Sequence, residues 1–593
     1  MFILGISCYY HDAAAALLSD GVLVAAAQEE RFSRIKHDSG FPNRSIDYCL
    51  TAAGIRPQDL ECVVFYEKPL RKFERILTSA LATFPRSWGV FRESMLAWFN
   101  QKLWIKGQLM ERFGLPASKV LFVDHHLSHA ASAFFCSPFE RAALLTMDGV
   151  GEWTTAAVGS ASADWGRGGT NSIRLTEQMN FPHSLGLLYS AFTAFLGFEV
   201  NEGEYKVMGM APYGQPRFVD DVLKTVKVAD DGSLRLNMDY FAYHFSLRHS
   251  FSAKFTDLFG PPRVPEAPFI TRLTDPGAEV SDATHNENQH YADIAASIQA
   301  VTEDVVLKAA RHAYSATGCD RLCMAGGVAL NSVANGRLVR ETPFKEVFIQ
   351  PAAGDAGGAL GAALYAHHVL FQKPRRFVME HCFWGASYTQ DQALAAVKRS
   401  GLPFTIIDDE EELVETAARD LSAGRVVGWF HGGFEWGPRA LGNRSILADP
   451  RRAEMKDIVN SKIKFREAFR PFAPAIPSER VGEFFEGAQT PQMQQLARFM
   501  LLVLPWRPGK GELVQAVNHM GTGRVQAVCQ TSNPLFYRLL RRFGDETGTP
   551  VLLNTSFNLR GEPIVSSPED ALRSFQASGI DTMMLDRIWV RKA

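Results

Sequence analysis

The chain opens with short apolar runs broken by polar turns. FILGIS, residues 2–7, is one run, and AAAALLSDGVLVAAAQEE holds two more joined by Ser19, Asp20 and Gly21. Asp-Gly between two apolar runs is a hairpin signal. Strand, loop, strand, turn, strand is therefore predicted, with CYYHD as the loop. The same order returns in RAALLTMDGVGEWTTAAVGS, an apolar run, a loop opening with Asp148-Gly149, and a second run. Two such units about 130 residues apart predict a duplicated α/β architecture whose hairpin loops face one cleft. Backbone N–H groups of glycine loops there can cradle phosphate.

Further along, residues 260–282 carry five prolines and read as a surface loop. Tyr291, Ile294, Ile298, Val301 and Val305 keep the 3/4 spacing of a helix. RLCMAGGVALNSVANGRL reads as a strand entering Gly326-Gly327 and then a helix. IQPAAGDAGGALGAALYA reads as a strand, a glycine-rich turn holding Asp355, and a small-residue helix. FQKPRRFVMEH breaks both periodicities and reads as a linker. A boundary near 375 is expected, between domains at 1–372 and 378–593.

Composition narrows the function without naming it. The 593 residues are 46% hydrophobic and 21% charged, with a net charge of −2. Binding of nucleic acid or a membrane surface through bulk charge is thereby disfavoured. Eight scattered cysteines form no CxxC pair, so neither a zinc knuckle nor a disulfide framework is expected. The start, MFILGISCYYHD, lacks a basic n-region, and no uncharged run approaches the ~20 residues of a membrane span. A cytoplasmic protein is expected.

The first chemistry lies in VDHHLSHAASAFF, residues 123–135. Asp124 can cap a helix starting at His125. His125 and His129 then lie one turn apart on one face and can share a metal ion, with His126 and His129 as a rival i, i+3 pair. A polar helix end with surface histidines is the plainer account of HxxxH alone. Asp148 and Asp355, each expected at a strand end before a glycine turn, would complete a His₂Asp₂ set. Such mixed ligation suits iron, manganese or zinc. His11, in the first hairpin loop and followed by Asp12, is placed to act as a general base on a hydroxyl, unless it only bonds the loop backbone.

The second half carries a basic stretch. Between Arg439 and Arg470 stand nine Lys/Arg against four Asp/Glu, interleaved with glycine, proline and aromatics. That composition suggests a pocket for multiply charged anions such as phosphates, with a nucleic-acid groove as the runner-up. VLLNTSFNLRGEPIV is a strand running into Asn554, Asn558, Arg560 and Glu562, which again fits anion binding. No GxxxxGK[ST] is present, so a P-loop is excluded.

These motifs resemble, in order and over nearly the whole chain, the O-carbamoyltransferases of antibiotic and nodulation-factor biosynthesis. The resemblance rests on YYHDAAAAL, AQEERFSRIKHD, HHLSHAASAFF, DGVGEW, FPHSLGLLYSAF, GEYKVMGMAPYG, AGGVALN, PAAGDAGGALGAAL, GPRALGNRSILADPR, FRPFAP and NTSFNLRGEPIV. It implies a duplicated actin-like (ASKHA-type) N-terminal domain and a YrdC-like α/β C-terminal domain. It also implies a reaction in two steps. The YrdC-like domain would join carbamoyl phosphate to ATP, used with Mg²⁺, giving carbamoyl adenylate and pyrophosphate. The actin-like domain would pass the carbamoyl group to a hydroxyl of a small-molecule acceptor beside a bound metal, Fe²⁺ in the family. The implied ligands are His125, His129, Asp148 and Asp355, which favours the i, i+4 pair, and His11 is the implied catalytic residue. Gly326, Gly327 and Asn331 match the nucleotide-binding turn, with Arg439 and Arg444 on the nucleotide side. Lys456, Arg524 and Arg560 match positions that hold carbamoyl phosphate. One departure stands out: the family commonly reads like THVD, two or three residues, then Arg, where this chain has VNHMGTGRVQ before and around Arg524.

Two other functions fit parts of the sequence. A phosphotransferase of the actin/sugar-kinase class would explain the duplicated hairpins but not the second-domain motifs. An ATP-gated binding protein would leave the His₂Asp₂ set without a purpose.

Overall fold

The computed structural model describes residues 1–100, 102–274, 277–488 and 491–592. The chain divides into two compact units, one of residues 1–24, 40–42 and 49–378, the other of residues 25–39, 43–48 and 379–593.

The first unit contains two five-stranded sheets. One has β1 (Phe2–Ser7), β2 (Ala14–Ser19), β3 (Val22–Gln28), β4 (Leu60–Phe65) and β5 (Val120–Phe122) in the order β3-β2-β1-β4-β5. After β6 (Arg141–Met147), β7 (Thr154–Ser162) and β8 (Ser172–Asn180), the small hairpin β9 (Val226–Val228) and β10 (Leu234–Leu236) intervenes. The second sheet is then completed by β11 (Arg321–Ala325) and β12 (Glu346–Phe348) in the order β12-β11-β6-β7-β8. Counted within each sheet, both orders are 3-2-1-4-5. In each, the first two strands are antiparallel and the fourth and fifth join on parallel. This repeated topology is the duplicated α/β architecture expected from the two hairpins. The first hairpin turns on Asp20 and Gly21, both at positive φ (47° and 81°). Two positive-φ residues make the tight turn that matches strand twist, which is why Asp-Gly stands there.

The helices that carry the site are packed within this unit. Helix Asp355–Tyr365 lies against helix His125–Phe134 and against β1 and β2. The contact is backbone to backbone: a Cβ on Gly361 would come within 1.8 Å of the Ser128 carbonyl oxygen, and one on Gly5 within 1.8 Å of that of Ala359. Glycine is required at both points. The long helix Asp282–Thr317 contains the predicted 291–305 stripe, with Ile294, Ile298 and Val305 fully buried.

One expectation is revised here. Asp355 does not close a strand: β12 ends at Phe348, Pro351 interrupts, and Asp355 is the first residue of its helix. The segment at 371–381 has no regular structure, yet it is not free. Arg375 is 1% exposed, its guanidinium donates to the Phe139 carbonyl (2.8 Å) and stacks over Trp165 at 4.5 Å. The loop at 260–282 is likewise pinned among its described residues, by buried Arg263 donating to the Leu196 carbonyl and by buried Thr271.

The second unit is built on β13 (Phe404–Ile406), β14 (Val427–Phe430), β15 (Arg444–Ala448), β16 (Ala473–Pro477), β19 (Gln526–Val528), β20 (Leu552–Ser556), β21 (Thr582–Leu585) and β22 (Ile588–Arg591). They form one mixed sheet ordered β13-β22-β21-β14-β15-β20-β16-β19, beside the two-stranded pair β17 (Val503–Pro505) and β18 (Thr522–Arg524). Helices Glu410–Ser422 and Pro534–Thr547 close one apolar core with Trp429, Leu447, Leu540 and Phe543. Residues 25–39 and 43–48, placed by sequence in the first domain, group with this unit, so that β3 is divided after Val24. Arg31, 1% exposed, donates to the Gly437 carbonyl at 2.6 Å, and Arg34 donates to those of Ile564 and Pro563 at 2.6 and 2.9 Å. Buried guanidiniums need acceptors, and loop carbonyls far along the chain supply them. All eight cysteines are buried and free. Among the described residues no helix is long and apolar enough to cross a membrane.

A buried His–Asp centre

The helix His125–Phe134 starts where expected, but not for the expected reason. Asp124 is its N-cap without a side-chain capping bond. Its carboxylate is instead engaged by Lys68 Nζ (2.6 Å) and Arg71 (3.0 Å). The His125 N–H donates to Glu152, at 3.0 and 3.2 Å to the two oxygens, and Glu152 also accepts the Lys68 N–H at 2.7 Å. Glu152 belongs to DGVGEW, the loop that carries Asp148. One loop therefore supplies both a site carboxylate and the anchor of the histidine helix. Sequence reasoning missed Glu152 because the cap lies 27 residues from the N–H it holds.

The i, i+4 pair is the one that converges. His129 Nε2 lies 3.0 Å from His125 Nε2, and His125 Nε2 lies 3.1 Å from Asp148 Oδ2. Asp355 Oδ1 is 3.6 Å from both Nε2 atoms, and Asp148 Oδ2 is 3.8 Å from that of His129. All four residues are buried, at 1%, 0%, 7% and 6% exposed in chain order. His126 points elsewhere: its Nε2–H donates to the Thr154 carbonyl (2.8 Å) and its Nδ1 accepts from the Thr146 hydroxyl (2.7 Å). Burial, then repulsion from His125 and His129, pushes its pKa down to about 3, so it stays neutral.

The set fits a metal ion. One ligand atom from each of the four residues lies within 4.8 Å of all the others. Donors about 2.0–2.1 Å from one cation stand about 3.0 Å apart at a right angle and about 3.4 Å apart at the tetrahedral angle. The observed 3.0–3.8 Å separations bracket those values. Two imidazole Nε2 atoms 3.0 Å apart either share one N–H or both turn lone pairs to a cation, and the two carboxylates beside them call for positive charge. The same demand shows in the ionisation of the cluster. Burial would lower His129, but Asp148 and Asp355 override it and hold its pKa at about 9. Burial would raise Asp148, but hydrogen bonds from His125 and His129 hold it well below the usual carboxylate range. Among the described residues Asp355 Oδ2 has no hydrogen-bond partner.

Asp148 is fixed by the glycine turn of the second sheet. Gly326 has φ 96° and leaves no room for a Cβ, which would meet the Met147 carbonyl oxygen at 2.2 Å. Gly327 donates its N–H to Asp148 Oδ1 at 2.9 Å. The turn expected to bind nucleotide thus spends that N–H on a cluster carboxylate. Asn331 caps helix Ser332–Glu341, accepting from the Ala334 N–H, and pairs its amide with Gln299.

His11 follows β1. Its Nδ1 lies 3.0 Å from Asp12 Oδ2 and its Nε2 lies 2.6 Å from the Asn201 carbonyl oxygen. Two oxygen acceptors require two ring protons. Burial would lower the pKa of His11; the hydrogen bond and charge of Asp12, then the charge of Asp355 and the Asn201 carbonyl, hold it at about 9.

In the second unit the basic stretch divides by role. Arg444 is enclosed at 0% exposed, its guanidinium stacked over Phe430 at 3.6 Å and donating to the carbonyls of His431, Asn443, Gly432 and Ala386. With no exposed surface it holds the GPRALGN loop together through those carbonyls. Glu435 works on the same loop, one oxygen accepting the N–H groups of Leu441, Asn443 and Arg444. Lys464 is buried and donates to the Asn558 side chain (2.7 Å) and carbonyl (3.1 Å). Burial, then the charges of Arg466, Arg470 and Lys36, lower its pKa strongly. Asn554 is also structural, donating to Gln526 at 2.6 Å. Arg439 lies half-buried in the GPRALGN loop. Lys456, Arg524 and Arg560 sit on three elements: helix Met455–Val459, β18, and the exposed turn after β20. Burial lowers the pKa of Lys456.

Two family models match the chain. Residues 2–364 match the family model described as carbamoyltransferase N-terminus, and residues 418–592 the one described as carbamoyltransferase C-terminus. The chain is 46% identical over its whole length to an uncharacterized protein of Synechocystis sp., covering 96% of that protein. It is 37% identical to the nodulation protein NolNO of Sinorhizobium fredii, over 98% of this chain and 79% of that one. It is 34% identical to the 3'-hydroxymethylcephem-O-carbamoyltransferase of Amycolatopsis lactamdurans, over 46% of this chain and 49% of that one. Among solved structures, HypF of T. kodakarensis aligns with a TM-score of 0.29 at 12% identity, over 63% of this chain and 48% of that one. With both family models matched in order along it, this chain belongs to the carbamoyltransferase family.

Proposed function

We propose that the protein is an ATP-dependent O-carbamoyltransferase that acts on a hydroxyl of a small natural product. In this reading the second unit, as a YrdC-like domain, forms carbamoyl adenylate from carbamoyl phosphate and ATP, releasing pyrophosphate. The first unit then transfers the carbamoyl group to the acceptor. The observation that carries the reading is the buried His125–His129–Asp148–Asp355 cluster, inside the part of the chain matched by the carbamoyltransferase N-terminus. The cephem enzyme among its relatives is by name an O-carbamoyltransferase.

Each residue set has a task in this scheme. A divalent metal, proposed as Fe²⁺, would be held by the four cluster residues and would supply electrostatic stabilisation to a carbonyl oxygen as it gains charge. His11, proposed as the group that takes the acceptor's proton, must first shed its own extra proton and leave the Asn201 carbonyl. Lys456, Arg524 and Arg560 are proposed to hold carbamoyl phosphate, a small dianion that a Lys/Arg pocket must keep from water. Arg439 stays a candidate for the nucleotide side; Gly326, Gly327 and Asn331 would shape that side through the turn they build. The proposed place of work is the cytoplasm.

The test mixes enzyme, ATP, carbamoyl phosphate and a panel of hydroxylated natural products. Pyrophosphate release and a carbamoyl mass gain on one acceptor are expected. Release of ADP with phosphorylation of the acceptor would assign the protein to the kinase class instead.

A further inference from the structure

Helix Glu410–Ser422 in the second unit treats its charged residues unequally. Glu410 pairs with Arg538 and Arg587, Glu411 with Arg538, and Glu415 with Arg542. Glu412 and Arg419, among the described residues, make no ion pair or hydrogen bond. Glu412, Thr416, Arg419 and the C-cap Ala423 recur at helical spacing, so they form one stripe. That stripe is one wall of a cavity of about 390 Å³. Small-molecule sites typically hold about 300–1,000 Å³. The facing wall is the edge of the eight-stranded sheet. There Thr405 of β13 stands directly opposite Trp589 of β22, and Ile407 follows two positions later.

Two observations mark the cavity as a prepared site. Asp420, 5% exposed, accepts the Trp589 Nε1–H at 3.1 Å, the Thr582 hydroxyl at 2.8 Å and the Arg425 guanidinium at 2.8 Å. Arg591 lies over the Trp589 ring at 4.6 Å. Trp589 and Arg425, both in the lining, are therefore held in place without a ligand. The second observation is Thr416, which is 8% exposed and lines the cavity. A helical threonine can bond the carbonyl one turn back, yet among the described residues the Thr416 hydroxyl bonds nothing. A nearly buried hydroxyl left open calls for a partner inside the cavity.

The lining also selects the ligand. Glu412 and Arg419 are two turns apart, about 10.5 Å along the helix axis. They do not pair with each other, and each faces the cavity alone. Asp420 and Arg425 cancel, so the lining as a whole carries no net charge. An anion would meet Glu412 and a cation would meet Arg419. A molecule with one charge of each sign, a hydrogen-bonding middle for Thr416 and an apolar group for Ile407 and Trp589 suits every part.

We infer that this cavity binds a zwitterionic, peptide-like molecule, its ammonium at Glu412 and its carboxylate at Arg419. An extended tripeptide spans about 10–11 Å, at ~3.3–3.6 Å per residue, which matches the separation of the two charges. None of His125, His129, Asp148 and Asp355 lines the cavity, nor does Lys456, Arg524 or Arg560. It is a site of its own, beyond the carbamoyl-transfer reading.

The probe is the tripeptide glycyl-phenylalanyl-glycine, with its N-acetylated and C-amidated forms, each lacking one end charge. Binding to the full chain is measured by calorimetry. The wild type is expected to bind the free tripeptide and to lose about tenfold on capping at either end, equivalent to about 1.4 kcal/mol. Glu412→Gln should bind the free and acetylated forms alike while still disfavouring the amidated one, and Arg419→Gln should do the converse. Thr416→Val should weaken all three forms. No binding at millimolar peptide, or equal binding of free and capped forms by the wild type, overturns the inference. So does discrimination at both ends that survives in both Gln variants, because the peptide then sits elsewhere. The two Gln variants alter exposed side chains and decide the point even if Thr416→Val does not fold. Pyrophosphate release from ATP and carbamoyl phosphate should be unchanged in both; its loss would overturn the inference by assigning the cavity to the donor reaction.

Discussion

Glu152 ties the His–Asp cluster to the backbone around it. Its carboxylate accepts two N–H groups, a part-buried one of Lys68 and a buried one at the first residue of the histidine helix. Glu152→Ala would leave both without an acceptor, at about 1–3 kcal/mol each by the cost of an unsatisfied buried donor. A lower urea midpoint and sub-stoichiometric metal by elemental analysis are expected; unchanged metal content would show that the helix holds its histidines without this anchor. His11 allows a test by pH. Its folded pKa, about 9, lies above the ordinary value of 6.5. Stability from its pairing with Asp12 is thus fully present below about 6.5 and is lost as pH rises through about 9. As a general base it works only when deprotonated, so kcat/KM for carbamoyl transfer should climb between pH 7 and about 9. A flat profile through that range, with His11→Asn near native rate, would remove His11 from the role of base.

Among the elements, helix Asp355–Tyr365 has least freedom. It starts with a cluster carboxylate and then lays glycines against neighbouring backbones. Gly361→Ala would drive a methyl into the Ser128 carbonyl, on the helix that carries both histidines. Overpacking of this kind typically costs about 1–3 kcal/mol. The helices can relieve it only by moving apart, which separates Asp355 from His125 and His129. A lower melting temperature together with weakened metal retention during dialysis is expected. A melting temperature within a degree of wild type would mean that the two helices do not touch there. In the second unit, strands and turns expected to bind anions do much of their work on themselves. Arg444, Glu435 and Lys464 tie loops through backbone and side-chain oxygens. A cationic composition read along the chain does not reveal which charges are already spent on carbonyls.

For the whole molecule, the proposed division of labour predicts that two half-reactions separate by mutation. Arg560→Ala, on an exposed turn of the second unit, should abolish pyrophosphate release without loss of stability. His11→Ala, in the first unit, should keep pyrophosphate release and slow transfer by about 10²–10⁴-fold. Equal loss of pyrophosphate release in both variants would refute the division.

Local pattern carried much of this protein's plan. Alternating apolar runs and an Asp-Gly turn determined the hairpins, whose duplication is visible in two sheets of one topology. A four-residue spacing put His125 and His129 on one helix face, because helical geometry depends only on near neighbours. Tertiary structure alone decided the rest. It moved Asp355 from a strand end to a helix start, capped His125 with Glu152 in place of Asp124, and took Arg444 out of solvent. It also assigned residues 25–39 to the second unit, where Arg31 and Arg34 meet carbonyls more than 400 residues away. Buried donors and charges take whichever acceptors the fold brings within about 3 Å, and no local pattern encodes that choice.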